Sequence, residues 1–446
     1  MPQPLLRANA RRTPLAQSLP RLTSLVSPYT GIVPFTGQIL SVTDDAPLFH
    51  VAAVTTKSKA LIGFEANLYS GGISPTRDHA LAASIGEAAE RYAGACCPQD
   101  SLLVASAAEL GARAVAPDTF ALFSTAQYAR PNFPFVRFDE TTRLRWMSAR
   151  EIRTGVERFV PAQLVYLVGV HDEPAISYGT SSGMACGATF EEAVLGGLLE
   201  IAERDAFLLT WYNRLSLPRV DWSGDPLLVR EHERFYAPTR VPYTVLNLTD
   251  MLRVPTALVT LRNPRGNVAL AVGAASSTSM QGAIRKALRE AFQTRAFARR
   301  LRLDRPDFEP GTDFSAVRTF EDHVLTYAFD AYAAQTDFLE ASSEVVPIAA
   351  IASVDDDDLT AAICEIARRL EVAGAHTYVS DLTPIDVQSA GLHVVRVVSP
   401  ELCRLDVDNT CRFLGGRRLY DAAFAAGLIA APLDADALNP LPHPFP

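Results

Sequence analysis

Residues 80–95 read ALAASIGEAAERYAGA and residues 195–209 read LGGLLEIAERDAFLL, two apolar stretches that carry the same inset, E-x-x-E-R. In the first, Ser84, Glu87, Glu90 and Arg91 fall at i, i+3, i+6 and i+7, within one face at 3.6 residues per turn. In the second, Glu200, Glu203 and Arg204 repeat the spacing. A glutamate four residues before an arginine is also the favourable ion-pair orientation of a solvated helix, so spacing by itself leaves both readings standing. The surroundings weigh against the solvated one. A solvated helix has a broad polar face, whereas these helices carry a narrow acidic stripe among Ala, Leu, Ile and Gly. Buried carboxylates must be paired or must hold a cation. Four glutamates against two arginines leave negative charge over.

Hard divalent cations take oxygen ligands, and Mg²⁺ accepts one or two carboxylates while keeping the phosphates of a bound nucleotide as further ligands. Two E-x-x-E helices would suit Mg²⁺ and ATP. A third helical stretch, SMQGAIRKALREAFQTRAF at 279–297, sets Lys286, Glu290 and Gln293 at i, i+4 and i+7. A cation, an acid and an amide on one face could serve phosphate, metal and a sugar or base edge. The chain has neither a G-x-x-x-x-G-K-[ST] loop nor a G-x-G-x-x-G after a strand, so a nucleotide site here is built on helix faces.

Composition narrows the rest. The 446 residues are 48% hydrophobic and 20% charged, ordinary for a globular protein with a sizeable core. A net charge of −9 argues against non-specific nucleic-acid binding, which needs a basic face to displace counterions. Six cysteines without a CxxC pair make neither a disulfide scaffold nor a zinc site, and a reducing cytoplasm fits. No apolar run approaches the ~18 residues of a membrane span. The first acidic residue is Asp44; residues 1–25 lack a signal-peptide core and read as a flexible N-terminal arm.

Along the chain, strand-like segments are expected around 31–42, 48–56 and 61–72, then a helix from Arg77 to Ala95. Mixed short elements fill 100–160, with a proline-rich loop at 129–135. A strand at 162–170 precedes the loop EPAISYGTSSGMACG (173–187). A helix then runs from Glu191 to Asn213, with Thr189 and Glu192 as a capping box. Strands at 241–248, 255–263 and 266–277 lead into the third helix, from Met280 to about Leu301. The last third alternates helix (357–374) with strands (376–382 and 392–400), an α/β pattern. No low-complexity linker cuts the chain, and one intertwined α/β unit, 26–438, is expected.

The chain finishes PLPHPFP, with Pro440, Pro442, Pro444 and Pro446 alternating with other residues. Proline fixes φ and lacks an amide proton, so this run is stiff before it binds anything. By composition it is a disordered tail or a docking peptide for a partner's aromatic groove. Among single residues, His323 reads as capping or packing, Cys186 as a small buried residue, and Asp381 and Asp386 as a strand-end turn.

Together these motifs resemble the YcaO superfamily, and specifically its azoline-forming cyclodehydratases. The resemblance rests on SIGEAAERY, GTSSGMACGATFEEAVLGGLLEIAERDAF, AIRKALREAFQTR, DLTPIDVQSAGLHVVRVVSPEL with LGGRRLY after it, and the proline-alternating end. It implies an α/β YcaO-type fold with mixed sheets and ATP and Mg²⁺ held by helices. By resemblance Glu87, Glu90, Glu200 and Glu203 carry Mg²⁺, while Ser84, Arg91, Ser182, Arg204, Lys286, Glu290 and Gln293 join them around the nucleotide. The tail, 439–446, would deliver the carboxylate of Pro446 as a base. The implied reaction converts Cys, Ser or Thr of a ribosomal precursor peptide to thiazolines or oxazolines by phosphorylating the backbone amide oxygen. Sister reactions give thioamides or amidines, and a catalytically inactive ATP-binding scaffold is a rival of another class. An E1-like leader-binding partner on a separate chain and a flavin-dependent azoline dehydrogenase are implied partners; a homodimer is left open. Three positions depart from the family's usual pattern. Ile73 stands where related sequences often show lysine, Lys286 replaces a bidentate arginine fork with a point charge, and Ser182 replaces the amide of a TSNG loop.

Overall fold

The computed structural model describes residues 5–42, 44–59, 66, 69–168, 172–263 and 267–445. In chain order, the helices that carry or support the residues above are α1 (Leu15–Thr23), α2 (Arg77–Ala95), α3 (Phe190–Tyr212), α4 (Met280–Asp304) and α5 (Leu359–Val372). Short polar side chains start all but α1, which follows Pro14. Thr76 accepts from the His79 N–H at the head of α2, and Ser279 accepts from the Gly282 N–H at the head of α4. At α3, Thr189 Oγ1 accepts from the Glu192 N–H at 3.2 Å. The Glu192 carboxylate does not return to Thr189; it accepts from Ala188 N–H at 2.9 Å and from Thr13 N–H. Only half of the expected capping box forms, because the other half is spent on tying down the segment before α1.

The strands form three sheets. The first is an antiparallel meander of β1 (Phe35–Ile39), β2 (Phe49–Val54) and β3 (Tyr69–Ser74). The second contains β4 (Leu103–Ala105), β5 (Leu144–Glu151), β6 (Glu157–Pro161), β7 (Met184–Gly187), β13 (Tyr378–Asp381) and β14 (His393–Val398). Its order is β4-β5-β13-β14-β7, with β6 also paired to β5. The third has the order β11-β10-β9-β8-β12, from β8 (Arg219–Asp221), β9 (Tyr243–Asn247), β10 (Thr256–Arg262), β11 (Leu270–Ser276) and β12 (Val345–Pro347). β12 joins β8 in parallel while its other pairs are antiparallel. This is the expected mixed α/β architecture.

The chain divides into two compact units, each made of three separate segments. One comprises residues 1–39, 49–201 and 355–402; the other comprises 40–48, 202–354 and 403–446. Every segment boundary falls without a linker, and one lies inside α3, which is why composition shows none.

The first unit holds the first two sheets with α1, α2, α5 and the N-terminal part of α3. Alternate residues of β2 and β3, among them Val51, Ala53, Ser70 and Gly72, are buried on the side that meets α2. A Cβ at Gly72 would stand 2.1 Å from the Ala80 carbonyl oxygen, so α2 seats directly on the β3 backbone. Ile85 of α2 is fully buried, worth roughly 1.5–3 kcal/mol. The stretch read as a flexible arm carries α1, and its Arg7 binds Glu191 through Nη2 at 3.0 Å and its own N–H at 2.8 Å.

The second unit holds the third sheet and α4. A Cβ at Gly273 of β11 would lie 2.3 Å from the Ala291 nitrogen, which brings α4 onto the sheet backbone. Its core gathers Phe207, Trp211, Tyr212, Leu246, Val272, Tyr327 and Phe445.

The predicted strand at 162–170 does not form. Ala162–Leu164 is a 3₁₀ turn after β6, and 169–171 lie outside the described residues. The apolar run is buried as a loop in which Val165 and Tyr166 N–H donate to Ala162 O and Leu167 N–H to Gly94 O, and Gln163 ties it to the loop that follows. Its amide donates to Pro174 O at 2.8 Å, and its Oε1 accepts from Ile176 N–H at 3.0 Å. The third expected strand, 61–72, survives only at its end as β3; 61–65, 67 and 68 lie outside the described residues. Among the described residues no helix is long and apolar enough to cross a membrane.

Candidate active site

The first E-x-x-E-R helix places an acidic cluster in the first unit. Glu87 of α2 uses both oxygens: Oε2 accepts from the Gly71 N–H of β3 at 2.9 Å and Oε1 from Arg91 Nη2 at 2.9 Å. One turn on, Glu90 Oε1 accepts from the Cys186 N–H of β7 at 2.8 Å. Glu200 of α3 lies within the electrostatic reach of Glu90 and Arg91. Enclosure by protein pushes Glu90 up to about 8, against the pull of Arg91 and with the push of Glu200 and Glu87. Arg91 stays cationic, raised by Glu87, Glu90 and Glu200 against its own burial. Ser84 is fully buried and donates its hydroxyl to the Leu81 carbonyl at 2.9 Å. Ser182 is half-buried, next to Gly183 at φ +84, where a Cβ would strike the Val397 carbonyl oxygen at 2.1 Å. That glycine is required by both its left-handed backbone and its close approach to β14.

The second unit carries a matching cluster. Glu203 of α3, 5% exposed, accepts through Oε2 from the Ser276 N–H of β11 at 3.4 Å. Glu290 of α4 accepts through Oε2 from the Ala274 N–H of the same strand at 3.2 Å. Burial and the neighbouring Glu203 raise Glu290, against Arg204 and Lys286. Arg204 stands 3.5 Å from Glu203 Oε1, and its guanidinium lies over the Phe445 ring at 4.3 Å. Lys286 is exposed and Gln293 half-buried on α4.

Within residues 439–445 the proline-alternating tail reaches the second cluster and, apart from the exposed Pro440, is buried. Asn439, His443 and Phe445 are fully buried. Trp211 Nε1 donates to Leu441 O at 3.0 Å, and the Tyr327 hydroxyl to Pro442 O at 2.5 Å. Asn439 N–H donates to Tyr212 O at 2.8 Å. His443 stacks on His323 with ring centroids 4.0 Å apart. His323 sets Nδ1 against His443 O at 2.8 Å and Nε2 against Val407 O at 3.1 Å. Burial lowers His323 to about 4, against the two carbonyls at its ring nitrogens, of which a neutral ring can donate to one. Because prolines cannot donate, the remaining carbonyls are what the clamp residues grip. Pro446 itself lies outside the described residues.

The single residues keep their structural readings. Burial raises the Cys186 thiol, which leaves it unsuited to nucleophilic attack. Asp381 Oδ1 accepts from Thr383 N–H at 3.0 Å in the turn after β13. Reading the sequence missed Asp205, fully buried and bound bidentately by Arg418 at 2.8–2.9 Å. It also missed the clamp of Trp211, His323 and Tyr327 on the tail. The partners in each case are more than a hundred positions apart, which no local spacing displays.

The donor sets fit Mg²⁺ with a nucleotide. The first cluster sets three carboxylates against Arg91 and the second two against Arg204 and Lys286, and one acid in each is raised by enclosure. Among the described residues no three His, Cys, Asp or Glu side chains close into a metal cage.

A family model described as YcaO cyclodehydratase, ATP- and Mg²⁺-binding, matches residues 71–403. An uncharacterised protein of Methanothermobacter thermautotrophicus is 27% identical over 259 residues, 56% of this chain and 61% of that protein. A solved heterocyclase in complex with substrate and cofactor superposes with a TM-score of 0.80 at 26% identity, over 99% of this chain and 59% of that one. A YcaO protein from Methanopyrus kandleri, bound with AMPPCP and Mg²⁺, shares the fold with a TM-score of 0.61 at 20% identity, over 90% and 94% of the two chains. The chain therefore spans about three fifths of the length of the first two.

Proposed function

The chain belongs to the YcaO cyclodehydratase family, described as ATP- and Mg²⁺-binding, and from that premise we propose an ATP-dependent peptide cyclodehydratase that forms azolines. The observation that carries this reading is the tail, clamped through the core of the second unit until Phe445 meets Arg204 beside Glu203. A segment held so firmly is suited to presenting the group that follows it.

In this reading the side chain of a Cys, Ser or Thr in a precursor peptide attacks the preceding backbone carbonyl. Bound ATP with Mg²⁺ supplies the phosphoryl group that makes the amide oxygen a leaving group, lost as phosphate. Metal is held by Glu87, Glu90 and Glu200 in the first unit and by Glu203 in the second, each pre-set by the backbone or by a neighbouring arginine. Arg91, Arg204, Lys286, Glu290 and Gln293 contact the nucleotide, with Ser182 at the loop and Ser84 acting through the backbone it braces. The terminal carboxylate of Pro446 takes the proton of the attacking group. Positioning and charge neutralisation are the protein's main contributions.

The substrate segment is brought by a separate E1-like leader-binding protein, and a flavin-dependent dehydrogenase can oxidise the rings afterwards. All six cysteines are free, which suits a reducing cytoplasm. The test is the mass of a precursor peptide incubated with this protein, the E1-like partner, Mg²⁺ and ATP. Loss of about one water per ring is expected. A gain matching oxygen-to-sulfur exchange would replace azoline formation by thioamide formation, and unchanged mass with nucleotide bound would favour the inactive scaffold.

A further inference from the structure

Main-chain donors are scarce in the tail. Pro440, Pro442, Pro444 and Pro446 have none, so the last N–H of the chain is that of Phe445. Two of the donors that remain are taken in the same way. Asn439 Oδ1 accepts from Leu441 N–H at 3.2 Å across Pro440, and His443 Nδ1 accepts from Phe445 N–H at 3.3 Å across Pro444. In each, a side chain reaches two residues on and closes a ring over the intervening proline, the relation asparagine uses in Asx turns. A backbone N–H can only donate, so His443 Nδ1 is the bare nitrogen and Nε2 carries the proton. That Nε2–H donates to Asp406 O at 2.9 Å. Asp406 is itself fixed, because its carboxylate accepts from the Tyr212 hydroxyl and, at 3.2 Å, from Phe413 N–H. The His443 ring is fully buried, and burial, His323 and Arg204 keep it neutral, as an acceptor must be.

Proline fixes its own φ and keeps the residue before it extended. Between His443 and Phe445 the torsion left widest is therefore the ψ of Pro444, and the His443 link closes over it. Beyond the link, the Phe445 ring is held between Arg204, at 4.3 Å, and Phe207, at 4.8 Å. Amide and ring together aim the bond that leads to Pro446. We propose that His443 is a positioning residue for ring formation: as a neutral acceptor it fixes the Phe445 amide, and with it the course of the chain into the terminal carboxylate. This rests on the azoline-forming reading, in which that carboxylate takes the proton. The histidine acts through the backbone of Phe445.

The test uses the full chain with the E1-like partner, Mg²⁺, ATP and a precursor peptide carrying a single core cysteine. His443→Asn keeps an acceptor where Nδ1 stands and loses the Asp406 link; Asn439 makes the same link in this chain. His443→Gln keeps a donor where Nε2 stands and loses the Phe445 link. Both remove a buried ring and should lower the melting temperature alike. Ring formation at saturating peptide should fall about tenfold or more in His443→Gln and no more than about threefold in His443→Asn, with KM for peptide unchanged in both. Nitrogen NMR of the histidine-labelled parent, with His443 identified by its loss in His443→Asn, should show a bare Nδ1 and a protonated Nε2. Equal kcat losses in the two variants, in step with the melting temperature, would overturn the proposal in favour of a packing role, and so would a protonated Nδ1. A parent chain with a short tag after Pro446 separates this failure from that of the underlying reading. Full ring formation by the tagged chain would remove the terminal base and, with it, any role in aiming it. A slow tagged chain beside a fast His443→Gln would overturn the positioning role alone.

Discussion

The same E-x-x-E-R inset is used differently in the two units. In the first, Arg91 is spent on an acid: it bridges to Glu87, whose other oxygen caps the Gly71 N–H. In the second, Arg204 keeps a looser contact to Glu203 and lays its guanidinium on Phe445 of the tail. Both clusters fasten their glutamates to strand N–H groups, at Gly71 and Cys186 in one and at Ser276 and Ala274 in the other. The acids are thus fixed by backbone in each unit, and the cation decides what the cluster serves. One is internally paired; the other is joined to the chain's own end.

The largest effects are expected where a raised or buried acid is neutralised by isostere. Glu90→Gln and Glu203→Gln should each cut Mg²⁺-dependent ATP use by at least about 100-fold, since charge placed for the transferring group is worth several kcal/mol. Near-ultraviolet dichroism should report an intact fold. Normal phosphate release in both variants would end the metal assignment and reduce the clusters to structural ion networks.

Next comes the tail. A short tag added after Pro446 should slow cyclisation far more than it weakens ATP binding, because it moves the terminal carboxylate without touching the clusters. Equal activity with the tag would return the tail to a packing element. Phe445→Ala, by contrast, empties a fully buried site and should destabilise the second unit by about 3–5 kcal/mol in denaturant unfolding.

A pH effect is expected in the second unit. His323, lowered to about 4, and His443, also lowered by burial, are neutral when folded but take up protons near 6.5 when unfolded. Their contribution is complete above about pH 6.5 and is lost as pH falls towards 4. Asp406, raised to about 6 by burial, works the other way, and its cost appears as pH rises through 6. Arg204, Asp322, Asp408 and Arg412 supply the surrounding charges. From pH 7 to pH 5 the two imidazoles subtract stability while the raised carboxyls Asp406 and Glu290 add it, and the share of His323 is the loss that its replacement removes. Denaturant midpoints at the two pH values measure it, and His323→Gln should flatten the dependence.

The smallest effect separates the two acids of α2. Glu87→Gln weakens one ion pair and should cost about 1–2 kcal/mol, whereas Glu90→Gln removes a carboxyl already disfavoured by burial and should cost less. Equal melting-temperature losses would contradict the difference in how the two are held.

Much of this was legible in the sequence because helical spacing is local. The 77–95 helix was expected at the bounds it has, and the acidic stripes of α2, α3 and α4 lie where the period placed them. What was not legible depends on burial and distant partners. The apolar run after β6 looks like a strand, yet its amides turn back on Ala162 and reach Gly94, while Gln163 spends its side chain on the loop that follows. The proline tail has the composition of a docking peptide, and only Trp211, Tyr327 and His323 reveal that the groove it fills belongs to its own chain.

The most direct test of the account is the ratio of phosphate released to water lost from a precursor peptide, measured in one sample with the E1-like partner and Mg²⁺ and set against the Glu203→Gln variant. One phosphate per ring, with both products gone in the variant, is the result expected of ATP-driven cyclodehydration. Rings formed without matching phosphate, or phosphate released at the same rate by the variant, would contradict it.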